Sequence, residues 1–225
     1  NASERPGDSE RIDLCHQRCV TIDDEETRDI DDGIALERLD DGIQRIWIHI
    51  ADPGRLIDPD SALDLEARRR GSSLYLAKGN LPMFPECLST GPFSLRARTR
   101  TAAWSIWAEL TSEGELGDHG IQRSWVQPTY RLSYDDADEL IELAPPEDTD
   151  LAELDALLSR RRECRVRNGA LLMDLPEGRI RCREGQPSLE VSEPGRSRQM
   201  VAEAMILAGA VVARFAEVHD LALPF

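Results

Sequence analysis

Lysine is almost missing from this 225-residue chain: Lys78 is the only one among 27 basic residues, so nearly all the positive charge is arginine. Arginine suits bidentate phosphate contacts, although a bias toward its codons explains the count equally well. Aromatic residues are scarce, at 5%. No apolar run approaches the ~18 residues of a membrane span. The longest candidate, Ala202 to Ala213, is interrupted by Glu203 and reads as a core helix, so no membrane partner is expected. The first eleven residues are polar, carry no apolar signal core and are expected to be a tail or linker; Asn1-Ala2 fits an expression scar. Cysteine is sparse and odd in number: Cys15, Cys19, Cys87, Cys164 and Cys182. Cys15 and Cys19 stand four apart, but no second pair or close histidine completes a zinc set, so reduced thiols in a cytosolic protein are expected.

What is present is acid. Asp and Glu number 43 against 27 Lys and Arg, a formal charge of −16. By composition alone this argues against a nucleic-acid partner, whose phosphates attract cations. Net charge says little about a local groove, however. Hydrophobic residues at 40% and charged residues at 31% describe a globular chain, long enough for one large domain or two small ones.

Periodicity predicts a mixture of strands and helices. Val20 to Asp23, Gly42 to Asp52, Thr101 to Leu110 and Ile121 to Val126 read as strands. In the third, Trp104 and Ile106 fall on one face and Trp107 on the other. Ser61 to Arg70 reads as a helix ended by Gly71, and Asn80 to Pro92 as a Pro-punctuated loop. Ser133, with Asp136 three residues on, is a capping signal for a helix to Leu143. Leu151 to Arg167 and Ser197 to His219 read as further helices, and Ala170 to Met173 with Arg179 to Arg183 as a hairpin. The expected class is α+β, a mixed and mainly antiparallel sheet packed by helices.

The densest chemical signal is Thr21-Ile22-Asp23-Asp24-Glu25-Glu26-Thr27-Arg28-Asp29-Ile30-Asp31-Asp32-Gly33-Ile34. Carboxylates that converge repel one another and need a compensating charge. Ile22, Ile30 and Ile34 interleave with the acids and would anchor the loop to a core. Three readings compete: a solvated acidic turn, a calcium loop, and a Mg²⁺ site for phosphodiester cleavage. The calcium pattern fits poorly, because Gly33 comes one place early and Asp40 stands where a closing Glu belongs. Spacing alone leaves the other two open.

Arg11-Ile12-Asp13-Leu14, Thr21-Ile22-Asp23, Asp29-Ile30-Asp31-Asp32 and His49-Ile50-Ala51-Asp52 succeed one another in the order of the ribonuclease II/R catalytic domain. The resemblance continues through Arg70-Gly71-Ser72-Ser73-Leu74-Tyr75-Leu76, Leu81 to Ser89, Phe93-Ser94-Leu95, Arg167 to Leu171 and Val201 to Met205. It therefore covers about Arg11 to Phe225. Each motif is modest; their ordered succession is specific. The resemblance implies a Mg²⁺-dependent 3′→5′ exoribonuclease, with Mn²⁺ a possible substitute, that releases nucleoside 5′-monophosphates from the 3′ end of single-stranded RNA. It implies that Asp23, Asp29, Asp31 and Asp32 are the catalytic metal ligands, with Asp24 and Glu25 as solvated extras. It further implies that Tyr75 stacks on a base, that Tyr134 fixes the terminal nucleotide, and that Glu203 contacts it. Without the family, Tyr75 and Tyr134 read as ordinary amphipathic tyrosines and Glu203 as an exposed helix residue. The arginines at 68–70, 96–100 and 160–167 read either as a phosphate channel or as a solvated face, Arg161 and Arg165 sharing one side of a helix.

Two positions depart from the family pattern: Asp24 replaces the usual proline and Gly33 the usual alanine, both tolerable in a loop. The family's domain also continues past Phe225 into an arginine-bearing block that contacts the scissile phosphate, and RNA-binding β-barrels usually flank it. Residues 12–225 are therefore expected to be a catalytic domain incomplete at its C-terminus, poorly active alone. Two alternatives stay open: a catalytically silent RNA-binding or regulatory member of the family, and an acidic interaction domain with no RNA role.

Overall fold

The computed structural model describes residues 4–76, 79–146, 148–173, 176–183, 186–192 and 195–223. Its centre is a seven-stranded sheet. In chain order its strands are β1 (Ile12–Asp13), β2 (Val20–Asp23), β3 (Asp32–Arg38), β4 (Gln44–Ala51), β7 (Thr101–Leu110), β8 (Leu116–Val126) and β9 (Tyr130–Ser133). Two small ribbons stand apart: β5 (Leu74–Leu76) with β6 (Gly79–Leu81), and β10 (Glu177–Arg183) with β11 (Gln186–Ser192). The helices are α1 (Ala62–Arg70), α2 (Glu86–Ser89), α3 (Tyr134–Leu143), α4 (Asp150–Arg167) and α5 (Arg196–Val218).

The sheet order is β1-β8-β7-β4-β3-β2-β9. The inner pairings are antiparallel, and only the outermost pairs, β1 with β8 and β2 with β9, are parallel. The mixed, mainly antiparallel α+β class expected from sequence is therefore observed. One face carries α3, α4 and α5. Its core joins Ile22, Ile34, Ile48 and Ile106 to Ile141, Leu154, Leu158, Met200, Leu207 and Val211. The opposite face holds a smaller core of Leu14, Cys19, Ile30, Ala35, Trp47, Leu95, Ala103 and Val126.

Local chemistry explains most boundaries. Ser61 accepts a hydrogen bond from Asp64 N–H at the start of α1, and Gly71 ends it with φ 74°, a left-handed conformation that costs glycine little. Ser133 and Asp136 form the anticipated capping box of α3. The aromatic pattern of β7 holds only in part: Ile106 is buried, but Trp104 on the same side is 43% exposed.

Four expectations need correction. The first is β3, which was not anticipated. Gly33, Ile34, Ala35 and Leu36 are all buried, so the strand sits between both cores and lacks the alternation that marks a one-sided strand. Second, Asn80–Pro92 is not plain loop: it contains the end of β6 and the short α2, whose Leu88 N–H and Ser89 N–H both bond to Pro85 O. Third, the hairpin pairs Arg179–Arg183 with residues 186–190, not with Ala170–Met173, which has no regular structure. Finally, the first eleven residues are not all free. The Asp8 carboxylate accepts two hydrogen bonds from Arg55, at 2.7 and 2.6 Å, and Arg11 pairs with Asp52. Asn1-Ala2, Lys78 and the Cys182 side chain lie outside what is described.

Candidate active site

The acidic segment runs from the end of β2 to the start of β3, across neighbouring strands of the sheet. Ile22 and Ile34 are buried in the large core and Ile30 in the small one. The loop between them is therefore pinned at its ends and its middle, as the interleaved isoleucines suggested. The Ile30 amide donates to Ser94 Oγ at 2.9 Å, and Leu95 N–H donates to Ile30 O at 2.8 Å. Ala51 N–H donates to Asp31 O at 2.8 Å. Arg131 donates to the carbonyls of Asp24 and Glu25, at 2.7 and 3.0 Å. These backbone ties hold the acidic side chains on one framework instead of leaving them to drift apart in solvent.

Electrostatics shows the crowding. Asp23 is pushed up to about 7, first by burial and then by Asp32, with Asp31 and Asp24 adding to the rise and Arg131 opposing it. Asp32 is pushed up to about 6 by burial and by Asp31. Burial and the neighbouring Asp29 also raise Asp31. Arg131 offsets the repulsion only in part, and Asp23, Asp31 and Asp32 all stay raised, which is the condition a bound cation relieves.

The four aspartates are not closed around an ion. Among the described residues no three Asp, Glu, His or Cys side chains stand close enough to hold one as they point here. Asp29 is turned instead to Tyr75, whose hydroxyl donates to its Oδ2 at 2.6 Å. That bond to a carboxylate pushes the Tyr75 phenol up to about 12. The donor chemistry nonetheless fits a hard divalent cation: every candidate ligand is a carboxylate oxygen, and Asp23 Oδ2 is buried with no hydrogen-bond partner. Asp23, Asp29, Asp31 and Asp32 are the residues that would hold it.

The other expected site residues divide. Tyr75 lies at the acids, with its side largely open to solvent. Tyr134 lies there too. It opens α3 immediately after Ser133, which pairs with Asp23 in the parallel β2–β9 ladder. Burial pushes its phenol up to about 12, with Asp23, Asp32 and Asp24 contributing and Arg198 opposing. Glu203 is different. It is buried within α5, and its two oxygens accept hydrogen bonds from Arg165 of α4, both at 2.8 Å. It is not the exposed helix residue that sequence alone suggested.

Two participants were not anticipated. Asp24 is no solvated extra: Arg198 donates to its carboxylate at 2.5 Å, and that guanidinium lies 3.9 Å over the Tyr134 ring. A signal for this was present. The first turn of α5 contains no acid but carries Arg196 and Arg198, against the helix macrodipole. Each finds an anionic partner, Asp155 and Asp24 respectively. Three arginines of α4 are engaged within the protein: Arg161 donates to Gly114 O, Arg167 donates to Glu113 O and Arg165 is bound to Glu203. Those at 68–70 pair with nearby Asp60, Asp64 and Glu66.

A mainly antiparallel sheet covered by helices on one face is also the fold of solved RNase R structures. Mycoplasma genitalium RNase R in complex with ribose-methylated single-stranded RNA superposes with a TM-score of 0.90 at 22% identity, over 99% of this chain and 36% of that one. Yeast Ssd1, a pseudonuclease, shares the fold with a TM-score of 0.76 at 17% identity, over 96% of this chain and 27% of that one. The RNB domain family matches residues 11–225, and the chain belongs to that family. It is 44% identical over 219 residues to an uncharacterized ribonuclease of Synechocystis sp., spanning 97% of this chain and 33% of that protein. It is 37% identical over 221 residues to the chloroplastic/mitochondrial ribonuclease II of Arabidopsis thaliana, spanning 96% of this chain and 28% of that protein. The chain thus spans about a third of the length of these relatives.

Proposed function

We propose that this chain carries the hydrolytic centre of a Mg²⁺-dependent 3′→5′ exoribonuclease that degrades single-stranded RNA to nucleoside 5′-monophosphates. The observation that carries the proposal is the crowding of Asp23, Asp31 and Asp32, only partly offset by Arg131, on a loop pinned at three points, in a chain of the RNB family. A bound divalent cation, Mg²⁺ or in its place Mn²⁺, supplies an activated water and charge neutralisation at the scissile phosphate. The chain's own residues do the rest. Asp23, Asp29, Asp31 and Asp32 supply hard oxygen ligands. Tyr75 offers an open ring for a base, a sequence-tolerant contact worth about 1–3 kcal/mol. Its hydroxyl orients Asp29. Tyr134, held between Arg198 and the acids, borders the place where the terminal nucleotide would rest. Glu203 belongs to the proposal as a contact to that nucleotide, through the lone pairs that its two bonds from Arg165 leave over.

The remainder of the expectation is proposed with it: RNA-binding β-barrels flanking this domain in the longer protein, and a cytoplasmic setting. Cys15, Cys19, Cys87 and Cys164 are free thiols, and no described helix is long and apolar enough to cross a membrane. The test is incubation of the full-length protein with end-labelled unstructured RNA and Mg²⁺. Stepwise shortening from the 3′ end with release of mononucleotides, abolished by Asp31→Asn and by chelator, supports the activity. Equal cleavage by Asp31→Asn refutes the mechanism. RNA binding without any mononucleotide release favours the catalytically silent alternative.

A further inference from the structure

Beside the acidic loop lies an open cleft of about 340 Å³, lined by Thr27, Arg28, Ile30, Thr90, Arg96, Ala97 and Arg131. Three of its seven lining residues are arginines, in a chain of net charge −16. None of the three is firmly neutralised. Arg131 donates to two carbonyl oxygens, which fix its guanidinium, and it acts on the Asp23 carboxyl through its charge without a direct ion pair. Arg28 meets Glu86 at 3.0 Å, but both side chains are about two-thirds exposed. Such a surface pair contributes little and exchanges readily for a stronger anion. Arg96 is exposed, and its guanidinium has no hydrogen bond, ion pair or ring contact among the described residues. The hydroxyl of Thr27 adds a possible donor at the rim.

We infer that this cleft is a phosphate-binding subsite, distinct from the aspartate cluster but built on the same loop. Arginine forks match phosphate oxygens bidentately, and Arg131 is already oriented. The cleft is large enough for a single nucleotide. Because Thr27, Arg28 and Ile30 belong to the segment that carries Asp29 and Asp31, a phosphate held here would lie next to the acidic loop and would need the three arginines to offset its charge. The inference rests on the proposed RNA substrate only for the source of the phosphate, which is either an RNA backbone or a free nucleoside monophosphate.

Binding measured in chelator separates the sources without any turnover. Labelled oligouridylate and uridine monophosphate are titrated into the wild-type chain, Arg96→Gln and Arg96→Lys over a salt series. A several-fold loss of RNA affinity in Arg96→Gln, with a salt slope lower by about 0.7 and recovery in Arg96→Lys, supports an RNA-backbone phosphate. Loss of mononucleotide binding alone supports a free nucleotide as occupant. Equal binding of both probes by wild type and Arg96→Gln overturns the subsite, even where the wild type shortens RNA. Phosphate binding through Arg96, with no mononucleotide released by the full-length protein, overturns the activity and leaves the subsite standing.

Discussion

Asp32→Asn should make the metal-free protein more stable while abolishing its cleavage of RNA. Burial and Asp31 lift Asp32 to about 6, so its carboxylate is disfavoured in the folded chain relative to the unfolded one. An acid with a raised folded pKa binds more protons folded than unfolded, so stability falls as pH rises between the two values. The destabilisation begins near the ordinary value of 3.8 and is complete above about 6. Two pH units correspond to about 3 kcal/mol at most. Asp32 is partly exposed, so on the order of 1–2 kcal/mol is a fairer expectation. Removing this charge also relieves Asp23, for which Asp32 is the largest charged perturber. Urea unfolding at about pH 8 in chelator should therefore show the variant more stable, with the gap closing near pH 4, where the wild-type acid is protonated. Saturating Mg²⁺ should reverse the order, because only the wild type gains a full set of ligands. A variant no more stable than wild type at pH 8, or an advantage independent of pH, would refute the reasoning.

Gly33→Ala restores the alanine usual in the family but places a Cβ 2.9 Å from Cys19 Sγ; unfolding should show a loss of about 1–3 kcal/mol. The double variant with Cys19→Ala should recover at least 0.5 kcal/mol of that as coupling, about the limit of additivity for independent sites, and strict additivity would contradict the packing account. Glu203→Gln leaves Arg165 half-paired in a buried setting and should cost about 3–5 kcal/mol by chemical denaturation; a cost below about 1 kcal/mol would show the pair to be a surface contact. Asp24→Pro, the usual family residue, removes the carboxylate that meets Arg198. It should raise KM for RNA more than it lowers kcat if that pair orients Tyr134, and a pure kcat loss would contradict this.

The particular residues show what sequence could and could not supply. The α3 cap was readable because Ser133 and Asp136 stand at the required spacing, and the structure forms both reciprocal bonds. β7 and β4 were readable from apolar patterning. β3 was not, because burial on both faces removes alternation and the flanking acids imitate a loop. That error made Gly33 look tolerant, whereas the strand packs it against Cys19 and Thr21. Gathering of the acids could be expected from the interleaved isoleucines. Their partners could not, since Arg131 and Arg198 lie more than a hundred residues further along the chain. Only the two arginines against the dipole of α5 hinted that an acid must meet them. The Asp29–Tyr75 bond likewise joins a member of the acidic motif to a tyrosine that only family resemblance had singled out.

The most direct test is a Mn²⁺ titration near neutral pH, followed by the loss of the free-ion electron paramagnetic resonance signal, in the wild-type chain and in Asp23→Asn and Asp31→Asn. Saturable binding in the wild type, weakened at least tenfold in both variants and competed by Mg²⁺, is the predicted result. A wild type that leaves the ion free, or variants that bind it equally well, would contradict the claim that these aspartates assemble a cation site.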